Sequence, residues 1–433
     1  MKRVFAVLLL FFTLRLEAQE ATQTRLTLDE ALQRAMSVNN TVERSRSEVG
    51  YAEAQRQFLL SSVLPRITLN GALTRNSIEQ TFGEGNDAVT ILPRNDWNYN
   101  LTLSQPIFAG RRELRAYSQA RLGVENAVVG VRSTEDAILL RVASFYLAAV
   151  NADARIEVER RNMEIAQRTL TQAKAFYEAG EVTRVDILRA ETTIKASQRL
   201  LAAAQQQREQ AVAQLREDLQ LDGQIVVDTP ERALPPLPSE AELVARAIGS
   251  RPDVDIAENN VRIAELEVQK QRGYWLPTVT FDGGYIQQRS SFPADRYSYG
   301  ALRFNVPVFQ SGEVIARVAG AKEREKQAKL QLEETQLTAR EDVRRALAEL
   351  ESARTGLTLA NDQLAAAQAE YDQVFELYRA QEATSLDLAS SEASLANARR
   401  AVAEESLNRD LAALRVWFAA GALKEAVGLR SNQ

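Results

Sequence analysis

The spacing of apolar positions along this chain changes from a helical period to strict alternation and back again, and it does so twice. The stretches "LPRITLNGAL" (Leu64–Leu73) and "LPTVTFDGGY" (Leu276–Tyr285) alternate apolar and polar residues. Alternation is typical of a β-strand with one apolar face. Long alanine-rich segments with helical spacing flank both stretches. Proline disfavours the α conformation in the residue before it, so each Leu-Pro predicts the end of a helix.

The two stretches belong to two copies of one longer unit. Positions before the strands recur at one constant offset, as Leu64 and Leu276 do, and positions after them recur at a smaller one, as Tyr177 and Tyr378 do. A single length change in the first copy, at the predicted loop "SIEQTFGEGNDAVTILPRN", accounts for the difference. A constant register on both sides of one length change indicates duplication.

Each copy predicts two strands followed by two long antiparallel helices. The first repeat is predicted at residues 19–227, with strands at about 66–76 and 96–105 and helices at about 111–179 and 183–219. The second repeat is predicted at residues 240–423, with strands at about 278–288 and 297–306 and helices at about 312–380 and 384–420. Residues 228–239 are predicted to be a linker, and residues 424–433 a disordered tail.

The first long helix carries a narrow apolar seam. Residues 111–179 contain no proline, and a helix of that length spans roughly 100 Å. Its apolar residues follow alternating steps of four and three, which places a stripe against partner helices. The seam begins with Ile138, Val142, Phe145, Ala149, Ala152 and Ile156.

The strands have the properties of transmembrane β-strands, which are roughly ten residues long and carry an apolar band with aromatic residues near its ends. In the second strand one face is apolar and the other holds Asn98, Asn100, Thr102 and Ser104. A soluble sheet packed on its own core is the alternative. The residues predicted to face lipid or to form the aromatic girdle are Trp97, Tyr99, Leu101, Leu103, Phe281, Tyr285, Tyr297 and Phe304.

Four strands from one chain cannot close a barrel. Every backbone polar group in lipid needs a partner, so an open sheet is not tolerated there. We therefore expect the chain to supply part of a shared barrel. Two chains would give eight strands and three would give twelve, and strand counting leaves both assemblies open.

Composition limits the remaining chemistry. Residues 1–18 start with Lys2 and Arg3 and continue as an apolar run too short to span a bilayer, which predicts a secretory signal peptide. The chain has no cysteine and no histidine, so zinc sites built on them and histidine-based acid–base catalysis are excluded, and no cofactor is predicted. The net charge of −5 gives no general attraction for nucleic acid.

With these features the sequence resembles the TolC-like outer-membrane efflux proteins. The resemblance rests on the duplication, the Leu-Pro–strand–strand path ending in "QPIFAG", the turn "YEAGEVTRVDILRAE" and the closing "LRVWFAAGAL". It implies a homotrimer with a twelve-stranded barrel in the outer membrane of a Gram-negative bacterium and a helical tunnel in the periplasm. It also implies the exit duct of a tripartite efflux pump or type I secretion system. The partners would be a periplasmic adaptor and an inner-membrane pump of the RND, ABC or MFS type.

The resemblance assigns functional residues to the two helix–helix turns. Asp387 matches the first of two acidic gate positions, but the second is Ser390, so a two-ring gate is not implied. Asp186 matches an aspartate of the first turn, and Ala383 stands where some members have its basic partner. Tyr378 matches a tyrosine that takes part in closure. The residues implied to dock the adaptor are Gly180, Glu181, Gln381 and Glu382, with Gln381 in place of a glycine.

Other interpretations remain open from the sequence. Asp186 and Asp387 also suit the first turn of a helix, where the helix dipole favours carboxylates. A soluble periplasmic coiled-coil scaffold would explain the helices but has no need of the four strands. An enzyme finds no support without histidine, cysteine or a phosphate-binding loop. The sequence does not identify the substrate, because drug efflux and protein secretion use the same kind of duct.

Overall fold

The computed structural model of the protein describes residues 24–83, 85, 89–229, 234–290 and 294–429. The signal peptide expected at residues 1–18 lies outside the described residues. Part of the expected linker, residues 230–233, and the last four residues of the chain also lie outside them.

The described residues form strands and helices in an order that repeats across the chain. The elements of the first half are β1 (Thr24–Leu26), α1 (Leu28–Val38), α2 (Asn40–Ser61), β2 (Arg66–Arg75), β3 (Gln80–Phe82), β4 (Val89–Leu92), β5 (Asn95–Ala109), α3 (Arg112–Glu178), α4 (Arg184–Leu219) and β6 (Ile225–Val227). The elements of the second half are α5 (Glu240–Ser250), α6 (Pro252–Arg272), β7 (Thr278–Gln288), β8 (Arg296–Asn305), α7 (Glu313–Arg379), α8 (Ser385–Ala419) and α9 (Leu423–Ala426).

The chain folds into two compact units, and each takes residues from both repeats. The turn unit comprises the described residues within Met1–Ser37, Val142–Ala233 and Leu359–Leu407, and it holds both turns between long helices. The sheet unit comprises the described residues within Val38–Arg141, Leu234–Thr358 and Asn408–Gln433. The sequence repeats are therefore not the compact units of the fold.

A four-stranded antiparallel sheet is the centre of the sheet unit. Its order is β2-β5-β7-β8, so β2 and β8 are edge strands, each paired on one side only among the described strands. In both copies a Leu-Pro pair separates helix from strand: α2 ends at Ser61, and α6 ends in a 3₁₀ turn at Gly273–Trp275. Leu276 is extended, as a residue before proline should be.

The chain returns from strand to helix through Gly110, which has a left-handed φ of 64°. A Cβ atom at this position would lie 2.2 Å from the carbonyl oxygen of Gly273. The backbones of the two glycines approach so closely that only glycine fits. The matching Gly312 also has a positive φ, but its surroundings are open.

The apolar seam of α3 is buried, but it differs from the predicted seam at one position. Tyr146 is completely buried, whereas the predicted Phe145 is only partly buried. The hydroxyl of Tyr146 donates to the backbone oxygens of Leu26 and Asp228, 2.8 and 2.6 Å away. These bonds hold α3 against the short β1–β6 pair, a role that apolar spacing alone does not reveal.

Two other expectations were wrong. The expected loop after β2 contains the hairpin of β3 and β4. The expected tail is ordered over its described part, because α9 buries Leu423, Ala426 and Val427 on one face. Among the described helices, one stretch of α3 is apolar and long enough to cross a membrane by composition alone, a property that core helices share.

Candidate functional site

The turn between α3 and α4 is built around a glycine and a capped helix start. Gly180 is exposed and has a φ of 79°, and the next residue, Glu181, is also exposed. Thr183 precedes α4, and its N–H and hydroxyl both donate to Oδ2 of Asp186, at 2.9 and 2.8 Å. This is the carboxylate half of a capping box, which stabilises a helix N-terminus.

The turn between α7 and α8 has the same design with different residues. Gln381 replaces the glycine and takes up the left-handed conformation at φ 64°, and Glu382 beside it is exposed. The N–H and hydroxyl of Thr384 donate to Oδ2 of Asp387, and the N–H of Asp387 donates back to the hydroxyl. These hydrogen bonds from Thr384 lower the pKa of Asp387, whose side chain is exposed.

Direct hydrogen bonds join the two turns. The hydroxyl of Ser385 donates to Oδ1 of Asp186, and the side-chain amide of Gln381 donates to the carboxylate of Glu181. Arg189 approaches both ends of the first link, at 3.2 Å from Ser385 Oγ and 3.6 Å from Asp186 Oδ1. In the sequence, Ala383 stands where some family members have a basic partner for Asp186. In the structure, the hydroxyl of Ser385, two residues further on, contacts Asp186.

The two aspartates therefore have different surroundings. Desolvation acts to raise the pKa of Asp186, but the hydrogen bonds from Ser385 and Thr183 outweigh it, and the pKa lies below its usual value. Both carboxylate oxygens of Asp186 accept hydrogen bonds. Asp387 uses only Oδ2, and its Oδ1 has no partner among the described residues. Asp387 is thus the aspartate with free acceptor capacity.

Tyr378 lies in the core of the turn unit rather than on a surface. Its side chain is 3% exposed and packs edge-on against Phe176, with ring centroids 5.7 Å apart. Its hydroxyl has no hydrogen-bond partner within the described part of the chain. Burial raises the pKa of Tyr378, and the negative charges of Asp186 and Glu392 raise it further. The structure therefore brings Tyr378 close to the first aspartate.

Sequence reasoning missed a polar cavity in the same unit. A space of about 270 Å³ lies between α3, α4 and α8 and is lined by the buried carboxylates Glu159 and Glu392. Arg400 lies 3.4 Å from Glu159, and the hydroxyl of Thr169 donates to Glu392. Burial raises the pKa of Glu392, against the effect of the Thr169 hydrogen bond. The sequence gives no signal for this cavity, because charged residues are distributed evenly along these helices.

The register of the sheet sorts the strand residues into two faces. Leu103 pairs with Ile67, Leu101 with Leu69 and with Tyr285, so their side chains lie on one side. By the same alternation this face carries six of the residues predicted to face the membrane, which are Trp97, Tyr99, Leu101, Leu103, Phe281 and Phe304. The assignment of Tyr297 to this face was wrong, since Tyr297 pairs with Ile286, which pairs with Asn100 on the other face.

The opposite face is polar and internally bonded. The hydroxyl of Ser104 donates to Asp282 at 2.7 Å, and Arg303 lies 3.2 Å from the same carboxylate. Thr102 donates to the backbone oxygen of Thr68 at 3.2 Å. One apolar and one hydrogen-bonded face on an open sheet fit a class of protein in which the sheet separates lipid from a polar lumen.

The chain belongs to the outer membrane efflux protein family, whose profile matches residues 27–219 and 243–422. The outer membrane efflux protein BepC of Brucella suis biovar 1 is 24% identical over 367 residues, which cover 84% of this chain and 78% of BepC. The pyoverdine export outer membrane protein OpmQ of Pseudomonas aeruginosa is 23% identical over 403 residues, covering 91% of this chain and 85% of OpmQ.

Solved structures show the same fold. The open state of the MtrE outer membrane channel of Neisseria gonorrhoeae matches with a TM-score of 0.77 at 19% identity, over 93% of this chain and 91% of MtrE. The predicted family, fold class, outer-membrane location and exit-duct function are confirmed. The family and the fold are those of transport channels, and members of the family work in tripartite efflux and secretion systems.

Proposed function

We propose that three copies of this chain form the duct, with a shared barrel of twelve strands. The observation that carries the proposal is the open sheet: β2 pairs only with β5 and β8 only with β7, so the outer side of each edge strand has no partner among the described strands. Unpaired backbone groups are not tolerated in lipid. Successive antiparallel pairings make β8 run opposite to β2, so the two edges of neighbouring copies suit antiparallel pairing. Two copies would also close, but the family resemblance favours three.

The absence of cysteine allows a direct test by cross-linking. Single cysteines placed along β2, such as Leu69→Cys, and combined in turn with single cysteines along β8, such as Leu302→Cys, are expected to include pairs that give a covalent ladder ending at three chains. The control pair is Leu101→Cys with Tyr285→Cys, which are partners within one sheet and should cross-link only within a chain. A ladder ending at two chains would establish the eight-stranded alternative, and no intermolecular product in native membranes would contradict a shared barrel.

We propose that the two helix–helix turns form the gate. Three-fold symmetry would bring three copies of Asp387 around one axis. Its exposed carboxylate and free Oδ1 support this role. Asp186 instead holds the second turn through Ser385, with Tyr378 packed beneath it. Clustered carboxylates at a constriction favour cations and bind multivalent ones, so the closed duct would pass cations selectively.

We propose that a periplasmic adaptor docks on the same turns. Gly180, Glu181, Gln381 and Glu382 are exposed there. The Glu181–Gln381 hydrogen bond ties the two turns into one surface, so an adaptor that engages either turn would act on both. The adaptor would connect the duct to an inner-membrane pump of the RND, ABC or MFS type. That pump would select the cargo, whether a small molecule or a secreted protein.

A further inference from the structure

A groove with both apolar and basic character lies where α6 ends and α7 begins, within the sheet unit. Its volume is about 520 Å³. We call it the basic groove. It is lined by Arg272, Trp275, Ile315, Val318, Ala319 and Lys322. No carboxylate lines it, so its two cations give it a local charge of opposite sign to that of the whole chain.

The two cations of the groove are not used by the fold. Arg272 and Lys322 are exposed, and neither has a hydrogen bond or ion pair to any described residue. Neighbouring cations do have internal partners. Arg317 bonds Glu313 at 2.6 and 2.9 Å, and Arg112 lies over the ring of Tyr274 at 4.4 Å. Arg272 and Lys322 are therefore free to bind a ligand.

The remainder of the groove is apolar and open. Trp275 is 54% exposed and Ile315 is 64% exposed, although both are large apolar side chains. An exposed tryptophan beside basic residues is typical of the interface between membrane and water, where an amphipathic ring lies at the headgroup level. An apolar surface next to cations matches an amphiphile with an anionic head.

The position of the groove along the chain points to lipid. Trp275 ends the 3₁₀ turn, and β7 begins three residues later at Thr278. Val279 and Phe281 then start the apolar face of that strand. The groove thus lies next to the start of the strand whose apolar face is proposed to meet the hydrocarbon of the outer membrane, at the end of the sheet from which the helices continue.

We propose that the basic groove binds an anionic phospholipid. Arg272 and Lys322 would hold the phosphate, since guanidinium and ammonium groups donate charge-assisted hydrogen bonds to phosphate oxygens. An acyl chain would lie along Trp275, Ile315 and Val318. A free phosphate ion would leave these side chains exposed, which is why the occupant is a lipid. The inference goes beyond the channel function and rests on the proposed membrane location of the sheet, but it does not depend on the gate.

Native mass spectrometry of the delipidated protein in detergent tests the proposal. Phosphatidylglycerol, phosphatidylethanolamine and inorganic phosphate are the three probes. The protein should retain phosphatidylglycerol in preference to the other two. Each basic residue near an anionic lipid changes affinity by roughly fivefold, so Arg272→Gln with Lys322→Gln should weaken retention by about 25-fold. Trp275→Ala should weaken retention of the lipid without affecting phosphate.

The matched control is Arg324→Gln with Arg354→Gln. These two exposed arginines also lie on α7 and have no ion pair among the described residues, but they lie outside the groove. The control removes the same charge and should leave retention unchanged. Equal retention by the groove variant and the control would overturn the proposal. Equal retention of phosphatidylethanolamine, or phosphate binding as tight as that of the lipid, would overturn it as well.

Discussion

The assignment of the two sheet faces makes a sharp prediction at adjacent residues of β5. Leu101 lies on the apolar face, is 45% exposed, and pairs with Leu69 and Tyr285 near the middle of the sheet. Thr102 lies on the polar face. Leu101→Arg would place a charge in the hydrocarbon, and Thr102→Arg would place the same charge in the lumen. The two variants introduce the same residue into the same strand, and they differ in the face of the sheet on which the new charge lies.

The magnitudes separate the two variants clearly. An arginine on the lipid face near the bilayer midplane costs about 2–4 kcal/mol per chain. In a trimer the cost would apply to each of the three copies. Thr102→Arg removes the hydrogen bond from Thr102 to the oxygen of Thr68, with a net loss of about 0.5–1.5 kcal/mol. Leu101→Arg should thus be the more damaging variant by a clear margin.

The assay is the fraction of protein that migrates as a folded oligomer on semi-native gels, followed by denaturant titration of the membrane-extracted protein. We expect most of the Leu101→Arg protein to be lost from the folded band and most of the Thr102→Arg protein to remain. Equal losses would contradict the assignment of lipid and lumen to the two faces. A greater loss from Thr102→Arg would reverse that assignment.

Three further predictions concern the gate, the junction and pH. Asp387→Ala should reduce cation selectivity and multivalent-cation block in planar bilayers, whereas Thr384→Ala, which breaks the cap but keeps the carboxylate, should not. Unchanged selectivity and block in Asp387→Ala would make Asp387 a capping residue only. Gly110→Ala should destabilise more than Gly312→Ala in thermal unfolding, because both incur about 1–2 kcal/mol of left-handed backbone cost but only Gly110 meets a backbone oxygen. Burial raises the pKa of Asp136 to about 6, although the charge of Lys424 acts to lower it. The free energy of unfolding should therefore fall as pH rises from about 4 through 6, because the folded state must then hold a buried charged carboxylate. Asp136→Asn should abolish that fall.

The order of elements could be predicted because its signals are local. A Leu-Pro pair ends a helix, alternation indicates a strand, and a second copy repeats both. The fold class could therefore be predicted from short segments of the sequence. The hairpin of β3 and β4 was not predicted, because both of its strands are short and lie in a glycine-containing segment. The helix α9 was not predicted, because a single turn with apolar residues at 423, 426 and 427 is too short to show a helical period.

The contacts of the site could not be predicted because they join residues far apart in sequence. Ser385 and Asp186 lie on different helices of different repeats, and nothing near either residue marks the other as its partner. The cavity around Glu159 and Glu392 depends on how three helices pack, which a single apolar stripe does not specify. Spacing also predicted Phe145 where the structure buries Tyr146, because neighbouring positions on a long helix differ little in periodicity.

Duplication explains why the two turns of the site are unlike, and why that matters for a gate. Two identical turns would give six equivalent aspartates around a three-fold axis. In this chain Ser385 of the second turn occupies the free oxygen of Asp186 in the first, and Arg189 neutralises it. The carboxylate of Asp387 meets no such partner among the described residues and stays exposed. In the proposed trimer, the first turn would supply the link and the second would supply the charge, which would leave a single ring of three carboxylates instead of six.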